Sequence, residues 1–469
     1  MARSNSTPHA RAASPTPWVS SALLLGVLAA CHKPIQPLDS QQASWQSAAA
    51  TPDPALEGWI DDQDQAIGRP FASSSDTDRP TLEPPAVRRL VLERHPSVLA
   101  AQAELDGAEA MAQAAGAWPN PEIEARVMLE GPASGDIEAG LGLTLPISGR
   151  IAAARKAAGI ELDMAQLALD AARHQALLDT ELLLAALAHE RRHLDLSREI
   201  AETSAQLAQL LLQRQSAGLV DPLDVAILLA ESARDTARFA RTQGELTATE
   251  GELMALMGLE PGSHSLQSPP MIAPVLTETR DALVAAASQS QAHWALARLN
   301  LERAEWEARR ASRARIPEPT VGPALVGKPE NFSLGVRVGL PIPVLAPGGA
   351  PYRAAVAERD AAHHHLVAAG REATREIDAL LAQLTGLRLA LDAAGGASLG
   401  SARQAARLAQ DRYHAGQLDV LHLQSARRAW ADIETETLDI VLDIRRTQLA
   451  LERAVGRPLA LTTPSMETP

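Results

Sequence analysis

Glu122 to Leu145 reads EIEARVMLE-GPASG-DIEAGLGLTL. In its first part Ile123, Ala125, Val127 and Leu129 alternate with Glu122, Glu124, Arg126 and Glu130. In Asp136 to Leu145, Ile137, Ala139, Leu141, Leu143 and Leu145 alternate with Asp136, Glu138, Gly140, Gly142 and Thr144. Period-two alternation, twice, around a Gly/Pro turn predicts a β-hairpin with strands over 122–130 and 136–145. One face is wholly apolar, and a strand of about ten residues suits a tilted membrane crossing.

The sequence on either side has a different period. Upstream, Val87, Leu90, Val91, Val98, Leu99 and Leu105 keep helical spacing until Trp118-Pro119-Asn120-Pro121. Downstream, Arg150 to Gln215 contains no proline. As one helix this run would extend about 100 Å at 1.5 Å per residue. Gly218 breaks it, and a second helix is predicted from about Pro222 to Met257. Helices this long cannot fold back into a compact core and must lie side by side.

The whole unit occurs twice. At an offset of 198 residues His95 falls on His293, Glu104 on Glu302, Pro119 on Pro317, Pro121 on Pro319, and Ala217-Gly218-Leu219 on Ala415-Gly416-Gln417. That period is too long for a solenoid, so the chain reads as a duplicated half-molecule. The second hairpin is less regular. Thr320 to Val326 is short and interrupted by Pro323; after a turn over 327–331, Phe332 to Leu340 alternates again. A helix from about Tyr352 to His414, with Gly395-Gly396 and Gly400 as kink sites, a break at Gly416 and a helix over 418–455 complete the second half.

Four strands with an apolar face cannot stand alone in hydrocarbon, because an open sheet edge leaves backbone N–H and C=O groups unpaired at several kcal/mol each. Closure therefore calls for further copies, and three would supply twelve strands. Apolar residues make up 46% of the 469-residue chain and aromatics only 3%, the composition of long helices packed through small side chains. The formal net charge of −14 argues against nucleic acid as a partner.

Near the N-terminus, Arg3 and Arg11 precede the apolar run Trp18 to Ala30, which ends at the only cysteine, Cys31. The run is too short for a membrane-spanning helix and suits an export signal. Leu28-Ala29-Ala30-Cys31 resembles the bacterial lipoprotein signal. It implies a signal peptide over 1–30, lipidation (palmitate) of Cys31, and a tether over 31–85 rich in Pro, Ser, Gln and Asp. The two repeats would span 86–275 and 276–460, with a disordered tail over 461–469.

The ordered, duplicated set of landmarks resembles the TolC-type outer-membrane efflux channel family. The matching residues are His95-Pro96-Ser97-Val98, Trp118-Pro119-Asn120-Pro121-Glu122, Leu145-Pro146-Ile147-Ser148-Gly149-Arg150, and Ala217-Gly218-Leu219 with Leu223-Asp224-Val225. Leu340-Pro341-Ile342-Pro343 and Tyr413-His414-Ala415-Gly416 with Leu418-Asp419-Val420 add the second half. The Pro-Asn-Pro-Glu and Leu-Pro-Ile-Pro forms are nearest the heavy-metal cation branch (CzcC- or CusC-like). The resemblance implies a mainly α chain with a small transmembrane β part, forming a homotrimeric twelve-stranded barrel continued by a periplasmic helical tube. It also implies outer-membrane lipid around the barrel, partnership with a periplasmic adaptor and an inner-membrane efflux pump, and passive transport without catalysis or cofactor. The scarcity of Tyr and Phe, two and three, departs from the usual aromatic girdle.

Within that frame Gly218, Leu219, Gly416 and Gln417 are the expected hairpin tips and adaptor contacts. The family's ring of acidic residues maps to Asp419, with His422 where a second aspartate is often found, and Asp224 is matched to Asp419 in the first half. These three form a candidate periplasmic gate; the aspartates could equally cap the returning helices. His363-His364-His365 is not expected to bind a metal, since consecutive helical residues point about 100° apart. No Gly-x-Ser-x-Gly elbow or phosphate loop is present. The competing class is a structural coiled-coil lipoprotein or periplasmic adaptor without a pore.

Overall fold

A computed structural model describes residues 80–130, 134–216, 220–328, 331–342 and 349–462. The signal, Cys31 and most of the tether, Gly218, Leu219 and nearly all of the proposed tail lie outside these residues. Two short helices, α1 (Pro84–Arg94) and α2 (Pro96–Ala114), lead into strands β2 (Glu122–Glu130) and β3 (Ser134–Thr144). Helix α3 (Arg150–Ser216) runs 67 residues without interruption, about 100 Å, and α4 (Pro222–Leu256) returns along it. The second half repeats the order with α5 (Arg280–Ser290), α6 (Ala292–Arg313), β6 (Thr320–Lys328), β7 (Asn331–Gly339), α7 (Gly349–Ala394), α8 (Ala397–His414) and α9 (Val420–Val455). The α7–α8 break falls at Gly395-Gly396, and Gly396 has a left-handed φ of 56° that helical residues do not adopt.

The helices pack through small side chains, which lets their axes approach closely. Ala153, Ala157, Ala176, Ala188, Ala201 and Ala208 are buried along α3. Helix α3 contacts α2, α4, α6 and α9, so the two halves share one packed body. Among the described residues, no helix is long and apolar enough to cross a membrane.

The four long strands form one antiparallel sheet in the order β2-β3-β6-β7. Its register aligns Ile123 with Leu141, Ala125 with Ala139, and Leu325 with both Ala139 and Leu334. Ile123, Ala125, Ala139, Leu141, Leu325, Leu334 and Val336 therefore share one face, which no other described part of the chain covers well: Ile123 is 83% exposed, Leu334 77% and Val336 76%, whereas Val326, opposite Glu138 and Ser333, lies on the other face. On the opposite face Arg337 of β7 pairs with Glu124 of β2 and Glu138 of β3. One guanidinium bridging from the outer strand to the far hairpin means that the sheet curls with its polar side inward.

The third strand departs from the sequence expectation. β6 runs nine residues to Lys328, because Gly327 and Lys328 pair with Phe332 and Asn331 and leave a tighter turn than 327–331. Pro323 does not end the strand. Its pairing with Val336 of β7 is kept, while the β3–β6 ladder skips positions 322 and 323, where proline has no N–H to donate.

Two short pairings tie the segments just before α1 and just after α9 to the segment between α4 and α5. β1 (Thr81–Leu82) pairs with β4 (Ser265–Leu266), and β5 (Val275–Leu276) with β8 (Leu461–Thr462). Glu278 locks the second: Oε1 accepts from Arg457 Nη1 at 3.2 Å and from the Ala460 N–H at 2.8 Å. The Arg457 hydrogen bond, then that of Ala460, hold the Glu278 carboxyl below its ordinary range. A depressed carboxyl contributes stability above its unfolded value of about 4.3, lost as pH falls through the folded value. Protection factors at 459–462, taken relative to the intrinsic exchange rate at each pH, are therefore expected to drop on acidification from pH 6 to 3. Glu278→Gln should exchange faster at pH 6 and respond less to acid; a variant with the wild-type profile would remove Glu278 from this lock.

Candidate functional site

Both helical hairpins end in one shared core. Leu207 and Leu211 of α3, Val225 and Leu228 of α4, Ala409 and Tyr413 of α8, and Val420 and Leu423 of α9 are buried together. Helix α8 stops at Gly416, whose φ of 69° satisfies the helix end: the Gln417 N–H donates to the Arg412 carbonyl at 2.8 Å and that of Gly416 to Tyr413 at 3.0 Å. Gly416 and Gln417 are exposed at this turn.

Asp419 is the N-cap of α9. Its Oδ1 accepts from the His422 backbone N–H at 2.9 Å and lies 2.9 Å from His422 Nδ1. The backbone bond first, and the imidazole second, keep the Asp419 carboxyl below its ordinary range. Both side chains remain exposed, 59% for Asp419 and 71% for His422.

In the first half the cap is not Asp224. Asp221 holds that position, its Oδ1 accepting the Leu223 N–H at 2.8 Å. Matching Leu223-Asp224-Val225 to Leu418-Asp419-Val420 by identity slips the register by three residues. The 198-residue offset, which already aligned the two glycine breaks, places Asp221 on Asp419 and Asp224 on His422. Asp224 thus sits in the first turn of α4, half-buried, where a carboxylate favours the helix dipole. Val225 and Val420, the neighbours of Asp224 and Asp419, join the same core. The tips therefore bring three acidic residues to one end of the body. Asp221 was legible in the sequence from the offset alone.

His363, His364 and His365 are all exposed on α7, the first two rings tilted at 60°. No candidate metal group among the described residues includes them.

The family model described as "Outer membrane efflux protein" matches residues 87–259 and 326–457, one block in each half. The chain belongs to this family. Solved structures give the same fold to this outer membrane efflux protein. VceC from Vibrio cholerae is 20% identical with a TM-score of 0.67, over 80% of this chain and 97% of that one. The Campylobacter jejuni CmeC outer membrane channel is 15% identical with a TM-score of 0.69, over 80% and 85%. CusC is 15% identical with a TM-score of 0.68, over 83% and 97%. No curated protein sequence matches the chain. The family block of the efflux protein's second half starts at residue 326, inside β6, and so leaves out the strand residues around Pro323.

Proposed function

We propose that three copies of this chain close a twelve-stranded barrel in the outer membrane and form a passive conduit, anchored by lipid on Cys31. In this reading the tips at Gly218, Leu219, Gly416 and Gln417 receive a periplasmic adaptor and its inner-membrane pump, and the cargo is heavy-metal cations. One observation carries the pore: a four-stranded sheet with an exposed apolar face, a charged concave face, and β2 and β7 each paired on one side only among the described residues. In hydrocarbon those edges must be paired, and a further copy has the complementary edge. Native mass and planar-bilayer conductance of the purified chain test it together. A monomer without channel activity would sink it.

Cation preference at the periplasmic end is supported by the acidic tips. On a trimer, Asp224 and Asp419 contribute six carboxylates, and like charges lining a narrow mouth concentrate counter-ions. Asp224→Asn with Asp419→Asn is expected to lower cation over anion selectivity and weaken block by multivalent cations. Asp419, held low by the His422 backbone N–H and imidazole, stays ionised through the neutral range, so its share of the cation preference is expected to hold unchanged from about pH 7.5 to 5.5. If the double variant leaves selectivity and block unchanged, the aspartates serve the helix starts alone.

The lipid anchor has a separate test. Cys31→Ser is expected to abolish incorporation of labelled palmitate and cleavage before residue 31. A mature protein from which residue 31 has been removed would contradict it.

A further inference from the structure

Away from the tips and the sheet, α3 and α4 bring together three ligand-bearing side chains from two antiparallel helices. Glu190 and His193 are one turn apart on α3, in the order Glu-Arg-Arg-His, and share a face. Glu245 comes from α4. One ligand atom of each lies within 4.8 Å of the others. We propose that Glu190, His193 and Glu245 bind a divalent transition-metal ion of the zinc class, which clamps α3 to α4.

The chemistry fits that ion. One imidazole nitrogen and two carboxylate oxygens form a mixed N/O set of three, and water would complete four-coordination. Bonds of about 2.0–2.2 Å place tetrahedral ligand atoms about 3.5 Å apart, so closing the set from its widest spacing asks for about an ångström of side-chain movement. Imidazole with carboxylate selects zinc, copper or nickel over magnesium and calcium, which prefer all-oxygen sites.

Independent observations point to a ligand here. Glu190 Oε2 is buried and accepts no hydrogen bond among the described residues, an uncommon state for a carboxylate oxygen. The other oxygen, Oε1, is 3.3 Å from His189 Nδ1, and His189 Nε2 is 2.8 Å from Asp439 of α9. Such a carboxylate–histidine chain behind a ligand fixes its orientation. Burial, first among its influences, favours the neutral form of His193, the form that coordinates. His189 and Arg238 oppose a positive charge on His193, and Glu190 and Asp439 favour it.

The duplication adds a second argument. Across the offsets that relate the halves, Glu190 and His193 fall within Thr385 to Leu391 (TGLRLAL), which has no histidine and no carboxylate. The packing frame common to both halves does not require these residues.

The inference does not rest on what passes through the pore. Full-length chain without a polyhistidine tag, stripped with chelator, is titrated with Zn2+ by calorimetry and with Co2+ by visible absorption. One Zn2+ per chain is expected, with no competition from excess Mg2+. His193→Ala and Glu245→Gln should each weaken binding by about tenfold or more and alter the Co2+ spectrum, and His189→Gln by about 10–100-fold. Glu245 is exposed, so Glu245→Gln folds normally and keeps the test valid if His193→Ala does not. The triple variant His363→Ala, His364→Ala, His365→Ala should bind as wild type. Absence of Zn2+ binding, or binding that survives Glu245→Gln but is lost in the triple variant, overturns the site. Trimer formation and conductance stay unchanged in either case.

Discussion

Leu141→Arg is expected to prevent assembly, whereas Gly142→Arg, its immediate neighbour, is expected to assemble and change conductance. Leu141 lies on the apolar face opposite Ile123, and Gly142 on the charged face opposite Glu122. In the proposed barrel the first faces lipid, where an arginine near mid-membrane costs about 2–4 kcal/mol. The second faces the lumen, where its charge stays in water. A Cβ at Gly142 would meet only the Thr320 methyl, at 3.0 Å, as its nearest side chain, so the strand must yield slightly. Trimer yield in membranes, together with single-channel recordings of whatever assembles, separates the two. Equal loss of trimer from both would reverse or remove the assigned orientation of the sheet.

The largest expected effect on the helical body comes from Glu434→Ala. Glu434 on α9 is 5% exposed. Its Oε1 accepts from Arg192 of α3 at 3.2 Å, its Oε2 from Arg403 of α8 at 2.8 Å and from Trp430 Nε1 at 3.1 Å. One carboxylate thus joins three helices from both halves. Removing one partner of a fully buried pair costs about 3–5 kcal/mol. Here Arg192 and Arg403 are half-exposed and water takes up part of the loss, so about 2–3 kcal/mol is expected. Thermal melting should move down clearly for Glu434→Ala and less for Glu434→Gln, which keeps the shape and one acceptor. Indistinguishable melts for the wild type and Glu434→Ala would mean that this junction contributes nothing to stability.

Much of the fold is legible in the sequence because its signals are periodic. The alternation over 122–145 and 332–340 marks strands, the proline-free run after Gly149 marks α3, and Gly395-Gly396 marks the division between α7 and α8. β6 is less legible, since Gly327-Lys328-Pro329 has turn chemistry and only its partners Phe332 and Asn331 draw it into the ladder. At the tips, Asp419 and His422 stand out by motif, but Asp221 is hidden by the attraction of the Leu-Asp-Val match. The links between distant residues, Arg192 to Glu434 or Arg191 to Glu250, leave no local trace. A charged residue on a helix reads the same whether it faces solvent or a partner on another helix.

The sheet joins its two hairpins through β3 and β6, where Thr144 meets Thr320, 176 residues along the chain. Each hairpin is local and can form within microseconds. Their union must wait until the intervening helices have brought the ends together, and closing so long a loop carries a large entropic cost before any contact compensates it. Until then each hairpin alone is only marginally stable in water, so the full sheet is expected to form slowly, with its apolar strands open to aggregation until β3 and β6 meet.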